Sequence, residues 1–371
     1  MTQHREVVVI GGGQAGLAIG HHLARQDRDF TILDAAAQPA AAWRSRWDSL
    51  RLFTPARHDG LPGREFPADP DSHPGRDEVV RYLTDYARDL TLPVELDSTV
   101  RAVRRGEHGY VVELDDRTYH ADQVVVATGP FQTPRRPLHL AEALDPGVVQ
   151  LHSSGYRRPE DVPAGCVLVV GGGNSGYQIA EELAADPRRR VHLSVGSRQT
   201  PLPTRILGRE LFSVLEATGL MHKTVGSRLG RRLKGRDTLV GCSPSRARRQ
   251  GIRMETRALS ASGAAVAFDG GSRLEVDAVI WATGFDADHS WIDVPVFGRD
   301  GRIAHQRGVT ASPGLYALGL PWLHTRGSAL LGWVKDDAEH LAACIAERAR
   351  ALSGDRGAAR ADLAPRAAAR A

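Results

Sequence analysis

Glu6-Val7-Val8-Val9-Ile10-Gly11-Gly12-Gly13-Gln14-Ala15-Gly16 is the stretch that decides the fold. After Glu6, the continuous apolar run Val7–Ile10 suits a strand buried on both faces of a parallel sheet. The turn after them has the spacing G-x-G-x-x-G. Its first glycine permits a tight turn, its second lets a pyrophosphate approach the backbone, and its third lets helix and strand pack closely. The helical stretch Leu17–Gln26 follows, then a second strand, Phe30–Leu33, ending at Asp34. A carboxylate there can hold both hydroxyls of an adenosine ribose, while the helix N-terminus attracts the pyrophosphate. Gly11, Gly13, Gln14, Ala15, Gly16 and Asp34 are therefore the expected contacts of a first dinucleotide.

Working outward, the same order of elements returns about 160 residues later. Cys166–Val170 reads as the strand, Gly171-Gly172-Gly173-Asn174-Ser175-Gly176 as the turn, and 177–185 as the helix. Val191–Val195 is the next strand, but it ends Gly196-Ser197-Arg198-Gln199-Thr200, without an acid. Arg198 stands where a 2′-phosphate would need a cation, which favours NADPH over NADH. Gly171, Gly173, Asn174, Ser175, Gly176, Arg198 and Thr200 are the expected contacts of this second nucleotide. Each unit also has a downstream echo, a buried strand ending in Ala127-Thr128-Gly129 or Ala282-Thr283-Gly284. Hairpin-like stretches precede both, at Val100–Tyr119 and Ala264–Val276, the latter with Asp-Gly-Gly at 269–271 as its turn. Val100, Thr128, Gly129, Thr283 and Gly284 join the expected cofactor contacts.

Composition bounds the rest. The chain has 371 residues, 42% hydrophobic and 25% charged, as in a globular protein of two units. Its formal net charge is +4, carried almost wholly by arginine. The basic stretch Lys223–Arg253 lacks interleaved aromatics and reads as a solvated face, so no nucleic-acid partner is expected. Three cysteines, Cys166, Cys242 and Cys344, include no C-x-x-C pair. That argues against a redox dithiol and points to a reducing, cytoplasmic setting. No apolar run reaches about 18 residues, no signal peptide is expected at the N-terminus, and no metal site is evident. Residues 130–165 read as a connector and 351–371 as a flexible tail.

Two dinucleotide turns in one chain imply that a flavin nucleotide and a nicotinamide nucleotide meet. At this point the sequence resembles the flavin-containing monooxygenases, particularly the small bacterial, CzcO-like flavoproteins, over residues 5–350 or so. Ala41-Ala42-Trp43-Arg44 is similar to the family's Gly-Gly-x-Trp segment, with alanines for the glycines. Trp47-Asp48-Ser49-Leu50-Arg51-Leu52-Phe53-Thr54-Pro55 resembles the segment lining the flavin ring, and Leu61-Pro62-Gly63 follows it as in the family. Gly171–Gly176 with Gln178-Ile179-Ala180 looks like the pyridine-nucleotide turn. His324-Thr325-Arg326-Gly327-Ser328-Ala329-Leu330-Leu331-Gly332 resembles the CzcO-like C-terminal segment. Of the linker signature, Gly147, His152 and Tyr156 are present, but Pro146 replaces the family's Phe and Gly147 lies one residue too far from His152.

The resemblance implies an α/β fold of two doubly wound Rossmann-like dinucleotide-binding domains. The NAD(P)H domain (156–280) would be inserted into a discontinuous FAD domain (1–155 and 281–350). It implies FAD and NADPH (or NADH) as cofactors, O2 and a small nitrogen- or sulfur-containing molecule as substrates, and a flavin C4a-(hydro)peroxide as the oxygenating species. It also admits a homodimer. Ala42, Trp43, Trp47, Thr54 and Ser328 would touch FAD. Thr54 and Asn174 would donate hydrogen bonds at the reacting centre, and a helix beginning near Ser328 would face the flavin's pyrimidine edge. Two other functions remain open: a reductase serving a quinone or protein acceptor, and a flavin-bearing sensor.

Overall fold

In the computed structural model, residues 2–234 and 237–367 are described, without the side chains of 237 and 354–367. The first parallel layer begins with β1 (Thr2–Ile10), α1 (Gln14–Arg25) and β2 (Phe30–Leu33). After α2 (Ala41–Arg44) and α3 (Arg76–Asp89), β3 (Val94–Glu95) pairs with β2. β1 lies between β2 and β6 (Thr118–Val126), in register Val7↔Phe30 and Val7↔Gln123. Leu315–Ala317 extends the parallel layer beyond β6. β4 (Val100–Arg105) and β5 (Tyr110–Leu114) turn back antiparallel onto β6. Val7, Val8 and Val9 are fully buried, as a strand covered on both faces requires.

The second layer is wholly parallel: Arg253–Glu255, Arg189–Ser194, Gly165–Val170, Ala278–Trp281 and Val149–His152, in that spatial order. It too carries a three-stranded antiparallel meander, Ala258–Ser262, Ala265–Phe268 and Arg273–Glu275. The repetition read from the sequence is thus a repetition of whole layers, and the α/β, Rossmann-like class holds. The chain passes between the layers twice, and the passing strands Thr133–Pro134 and Phe285–Asp286 pair antiparallel.

Atomic detail repeats as well. Gly11 has φ +111 and Gly171 φ +131, both closed to ordinary L-residues. A methyl group on Gly11 would meet the Ala127 carbonyl oxygen at 2.6 Å, and one on Gly171 the Ala282 carbonyl oxygen at 2.1 Å. The Ala-Thr-Gly turns therefore lie directly against the glycine turns. A methyl on Gly16 would sit 1.9 Å from the Gly11 carbonyl oxygen, and one on Gly176 2.0 Å from that of Gly171.

The final helix, Val334–Ala367, runs through much of the expected tail. Residues 368–371 of that tail lie outside the described residues. In the C-terminal segment, Arg326–Ala329 is only a 3-10 turn. The helix expected to start near Ser328 starts at Val334, because Ser328 folds back: its Oγ accepts from the amides of His324 and Thr325, both at 3.0 Å.

Because a methyl on Gly16 has only backbone to displace, Gly16→Ala should cost about 3 kcal/mol or more of stability. Gly13→Ala, which meets nothing within 4 Å, should cost far less of it. Urea unfolding of both variants checks this.

Candidate functional site

Each glycine turn leaves an open cradle at the head of its helix. Gly13 and Gly173 are the N-caps of α1 and of the helix Asn174–Ala184, neither helix has a side-chain cap, and a methyl on either glycine would meet nothing within 4 Å. Uncapped amides beside open space suit a pyrophosphate. Asp34 is half-buried: Oδ2 accepts from Gly12 N at 2.7 Å and Oδ1 from Ala36 N at 2.9 Å. The carboxylate is thereby held rigidly against the turn, with lone pairs left for ribose hydroxyls. At the second turn Arg198 is exposed and has no hydrogen-bond or ion-pair partner among the described residues, while Thr200 pairs in a strand with Thr238.

The flavin-lining segment is fixed from two sides. Gln14 receives the indole N–H of Trp43 at 3.1 Å and donates to the Ala329 carbonyl at 3.0 Å, tying the first turn to α2 and to the C-terminal segment. Ala42 is exposed beside them, and Ala15 is buried under the Gly319 loop. Two tyrosines of α3 anchor the loop after Thr54. Tyr82 Oη accepts from Leu61 N at 2.6 Å and donates to the Arg64 carbonyl, and Tyr86 donates to the Pro62 carbonyl at 2.7 Å.

Several expected contacts have other duties. Trp47 packs with Tyr156, Val167, Val169 and Tyr177 of the second layer. Its indole N–H is buried without a partner among the described residues. Asn174 makes a two-point clamp on Val240, donating to its carbonyl at 2.8 Å and accepting from its amide at 3.3 Å. Val100 is the half-buried first residue of β4. Thr128 and Gly129 accept from Gln132 Nε2 at 2.9 and 2.7 Å, while the Thr283 carbonyl accepts from Arg135. His152 donates from Nε2 to the Gly284 carbonyl at 3.0 Å and accepts the Ser154 amide at Nδ1. Tyr156, fully buried, donates to Glu182 at 2.7 Å. Both linker residues are thus engaged on the side of the second layer.

The Arg46 guanidinium lies 4.7 Å from the Phe131 ring centre and 5.0 Å from that of Phe285. These rings follow the first and second Ala-Thr-Gly turns. Burial lowers the Arg46 pKa.

The residue that sequence reasoning missed is Asp59. Thr54, 4% exposed, donates its only proton to Asp59 Oδ1 at 2.6 Å. Asp59 is 0% exposed, and its Oδ2 has no partner among the described residues. Burial pushes its pKa up to about 7, outweighing the Thr54 hydrogen bond, with Glu210 adding to the rise. Asp59 lies against the C-terminal segment, since a methyl on Gly332 would meet the His58 carbonyl oxygen at 1.7 Å and Asp59 Cα at 3.1 Å. The one local signal was an acid between the segment 47–55, expected to line the flavin, and Leu61-Pro62-Gly63, and its burial is a tertiary fact.

An apolar cluster lies beside this loop, reached through His58 and through Gly332, the residue before Trp333. The helix Leu211–Ala217, from the chain of the second layer, brings Phe212 onto Phe53 (ring centres 5.9 Å) and Trp333 (5.5 Å). His58 stacks on the other side of this group against Trp333 at 5.3 Å, with Nε2 3.2 Å from Ser213 Oγ. Leu211, Phe212, Met221, Val240 and Trp333 form one buried cluster with Phe53 and Leu330 at its edge. The Trp333 indole donates to Glu216. The three cysteines stand apart as free thiols, Cys166 and Cys242 buried and Cys344 half-buried.

With this geometry in place, comparison with known proteins is informative. Residues 8–202 match a family model described as pyridine nucleotide-disulphide oxidoreductase. A Geobacillus kaustophilus (strain HTA426) protein named "Uncharacterized oxidoreductase CzcO-like" is 42% identical over 339 residues, 91% of this chain and 97% of that one. The indole-3-pyruvate monooxygenase YUCCA4 of Oryza sativa subsp. japonica is 31% identical over 56% of this chain and 51% of its own. The solved flavin-containing monooxygenase from Stenotrophomonas maltophilia superposes with TM-score 0.75 at 29% identity, over 94% of this chain and 99% of that one.

Asp59 carries a sign-definite prediction. A buried acid whose pKa is raised binds its proton more tightly in the folded state. It therefore withdraws stability as pH rises from about 4 to about 7, and the loss is complete above that. Asp59→Asn, which keeps an acceptor for Thr54, should remove this slope: its stability relative to the parent should rise from pH 5 to pH 8. Parallel urea titrations at both pH values decide it, and equal differences would place the ionised form in a better-solvated setting.

Proposed function

From the premise that the chain belongs to the pyridine nucleotide-disulphide oxidoreductase family and, within it, to the flavin monooxygenases of CzcO-like type, we propose that it is an FAD-dependent, NAD(P)H-driven monooxygenase. On this reading it oxygenates a small nitrogen- or sulfur-containing nucleophile through a flavin C4a-(hydro)peroxide. The enzyme is an oxidoreductase; the identity of the oxygen acceptor is the part proposed. FAD would occupy the first cradle, held by the Gly11–Gly16 turn and Asp34, and NADPH the second, with Arg198 on its 2′-phosphate. The FAD unit comprises residues 1–155 and 281–350 and the NAD(P)H unit 156–280, with Val149–His152 lent to the second sheet.

The observation that carries this reading is a fully buried, protonatable Asp59 beside the apolar cluster of Phe53, Phe212 and Trp333, which His58 and Gly332 join to its loop. Bound flavin supplies the activation of oxygen, and what an oxygenation then asks of the protein is the exclusion of water and a held proton. The cluster excludes water. Asp59 holds a proton near neutral pH on Oδ2, while Thr54 fixes the orientation of the carboxyl through Oδ1. Thr54 gives its one proton to Asp59, and Asn174, fixed on Val240, keeps a single N–H to donate. Buried thiols without a C-x-x-C pair offer no support for disulfide reduction.

Two measurements test the proposal. After anaerobic reduction with NADPH, mixing with oxygenated buffer in a stopped-flow should show a transient flavin C4a-adduct spectrum, prolonged by NADP+. Direct return to oxidised flavin with stoichiometric hydrogen peroxide would instead favour a reductase of quinones or protein acceptors. Arg198→Ala should raise KM for NADPH about tenfold or more, the worth of a charge-assisted phosphate contact, with KM for NADH nearly unchanged. Equal effects on both would remove the 2′-phosphate role.

A further inference from the structure

The described residues contain a seldom-seen combination at the tip of a small hairpin. Arg205–Ile206 pairs antiparallel with Arg209–Glu210, leaving Leu207-Gly208 as a two-residue loop. Leu207 has φ +48 and Gly208 φ +76. Such loops ordinarily carry Asn-Gly, because a branched apolar side chain gains nothing locally from the left-handed region and is strained by it. Leu207 is also 98% exposed, and among the large exposed apolar residues described it alone has positive φ. A residue that is both strained and wholly in water is not explained by folding.

Its surroundings share one sign. The hairpin belongs to the excursion 203–234, which lies between the paired strands Gln199–Leu202 and Asp237–Val240. Residues 203–234 hold seven Lys and Arg against two Glu. Both acids are engaged inside: Glu210 caps the helix Leu211–Ala217, and Glu216 holds Trp333 and His222. Arg205 folds over the tip onto the Gly208 carbonyl, and Arg209 is exposed beside it. The helix Arg228–Lys234 adds exposed Arg228, Arg231, Arg232 and Lys234, together with the exposed apolar Leu229.

We propose that the excursion 203–234 docks on an anionic lipid surface, with Leu207 entering the interface and the arginines meeting the headgroups. A protein partner of ordinary interface size would need far more apolar area than one leucine tip supplies. A bilayer needs only an apolar point that reaches the acyl boundary, with charge doing the rest. This is contact with a surface, compatible with the finding that no described helix is long and apolar enough to cross a membrane. It stands apart from the flavin chemistry proposed above. Its consequence for that chemistry is that the helix Leu211–Ala217, which follows the hairpin directly, would lie close to the lipid.

The test is co-sedimentation of the full chain with phosphatidylcholine vesicles, with and without about a third phosphatidylglycerol, at low and high salt. Binding is expected only to the anionic vesicles and should weaken as salt rises. Leu207→Asn suits the turn better, so it should leave thermal stability equal or higher while reducing partitioning roughly tenfold, the worth of a buried leucine tip. Replacing Arg228, Arg231 and Arg232 by Gln should lower it about fivefold for each charge lost. Failure to bind anionic vesicles at low salt, or binding indifferent to Leu207→Asn, would overturn the proposal. So would a solution dimer that Leu207→Asn dissolves, which would give the tip to a second copy of the chain.

Discussion

The structure depends on how closely two pieces of backbone can pass. At the head of each parallel layer a helix leaves the end of a strand so tightly that the carbonyl of the first turn glycine occupies the volume where the third would carry a side chain. That approach places the helix amides beside an empty cradle and brings the neighbouring Ala-Thr-Gly strand against the turn. The same contact, made twice, gives one chain two nucleotide cradles of one geometry. Different chemistry then has to come from what surrounds them. Asp34 closes the first turn with a carboxylate. The second is bordered by Gln199, which accepts from the Tyr177 hydroxyl at 2.7 Å, and by an exposed Arg198.

What was legible in the sequence follows from this. Glycine spacing, continuous apolar strands and the Asp-or-Arg alternative at the second strand's end are local properties, and all of them survive into the fold. What was hidden depends on distant partners. Asn174 stands in a nucleotide turn, yet its amide is fixed on Val240, 66 residues away. Trp47 looked like part of a flavin wall and instead joins the core of the other layer, where Val167 and Tyr177 meet it. The C-terminal helix begins later than expected because Thr325 and Ser328 form a capped 3-10 turn of their own. Asp59 carried no pattern at all. Only its complete burial in the folded chain turns an ordinary acid into a group whose pKa is pushed up to about 7.

The apolar cluster and the buried acid are also connected energetically. Ionising a carboxyl where water is excluded is costly, and the same exclusion lowers the Asp59 acidity and shields the space beside it. His58 is subject to the same burial, which lowers its pKa and keeps the imidazole neutral although Glu210 lies 3.6 Å away. Burial thus pushes both groups toward their uncharged forms, Asp59 by raising its pKa and His58 by lowering it.

Arg46 joins the moving parts in a different manner. It lies over two rings that meet edge to face, one from each passage of the chain between the layers, and among the described residues its guanidinium has no hydrogen-bond partner. A hydrogen bond or ion pair at that point would set an angle and resist any other. Attraction between a cation and an aromatic face falls off gently with sliding and tilt. The joint is thus a lubricated bearing: it keeps the two layers in touch through a range of orientations and imposes no single one.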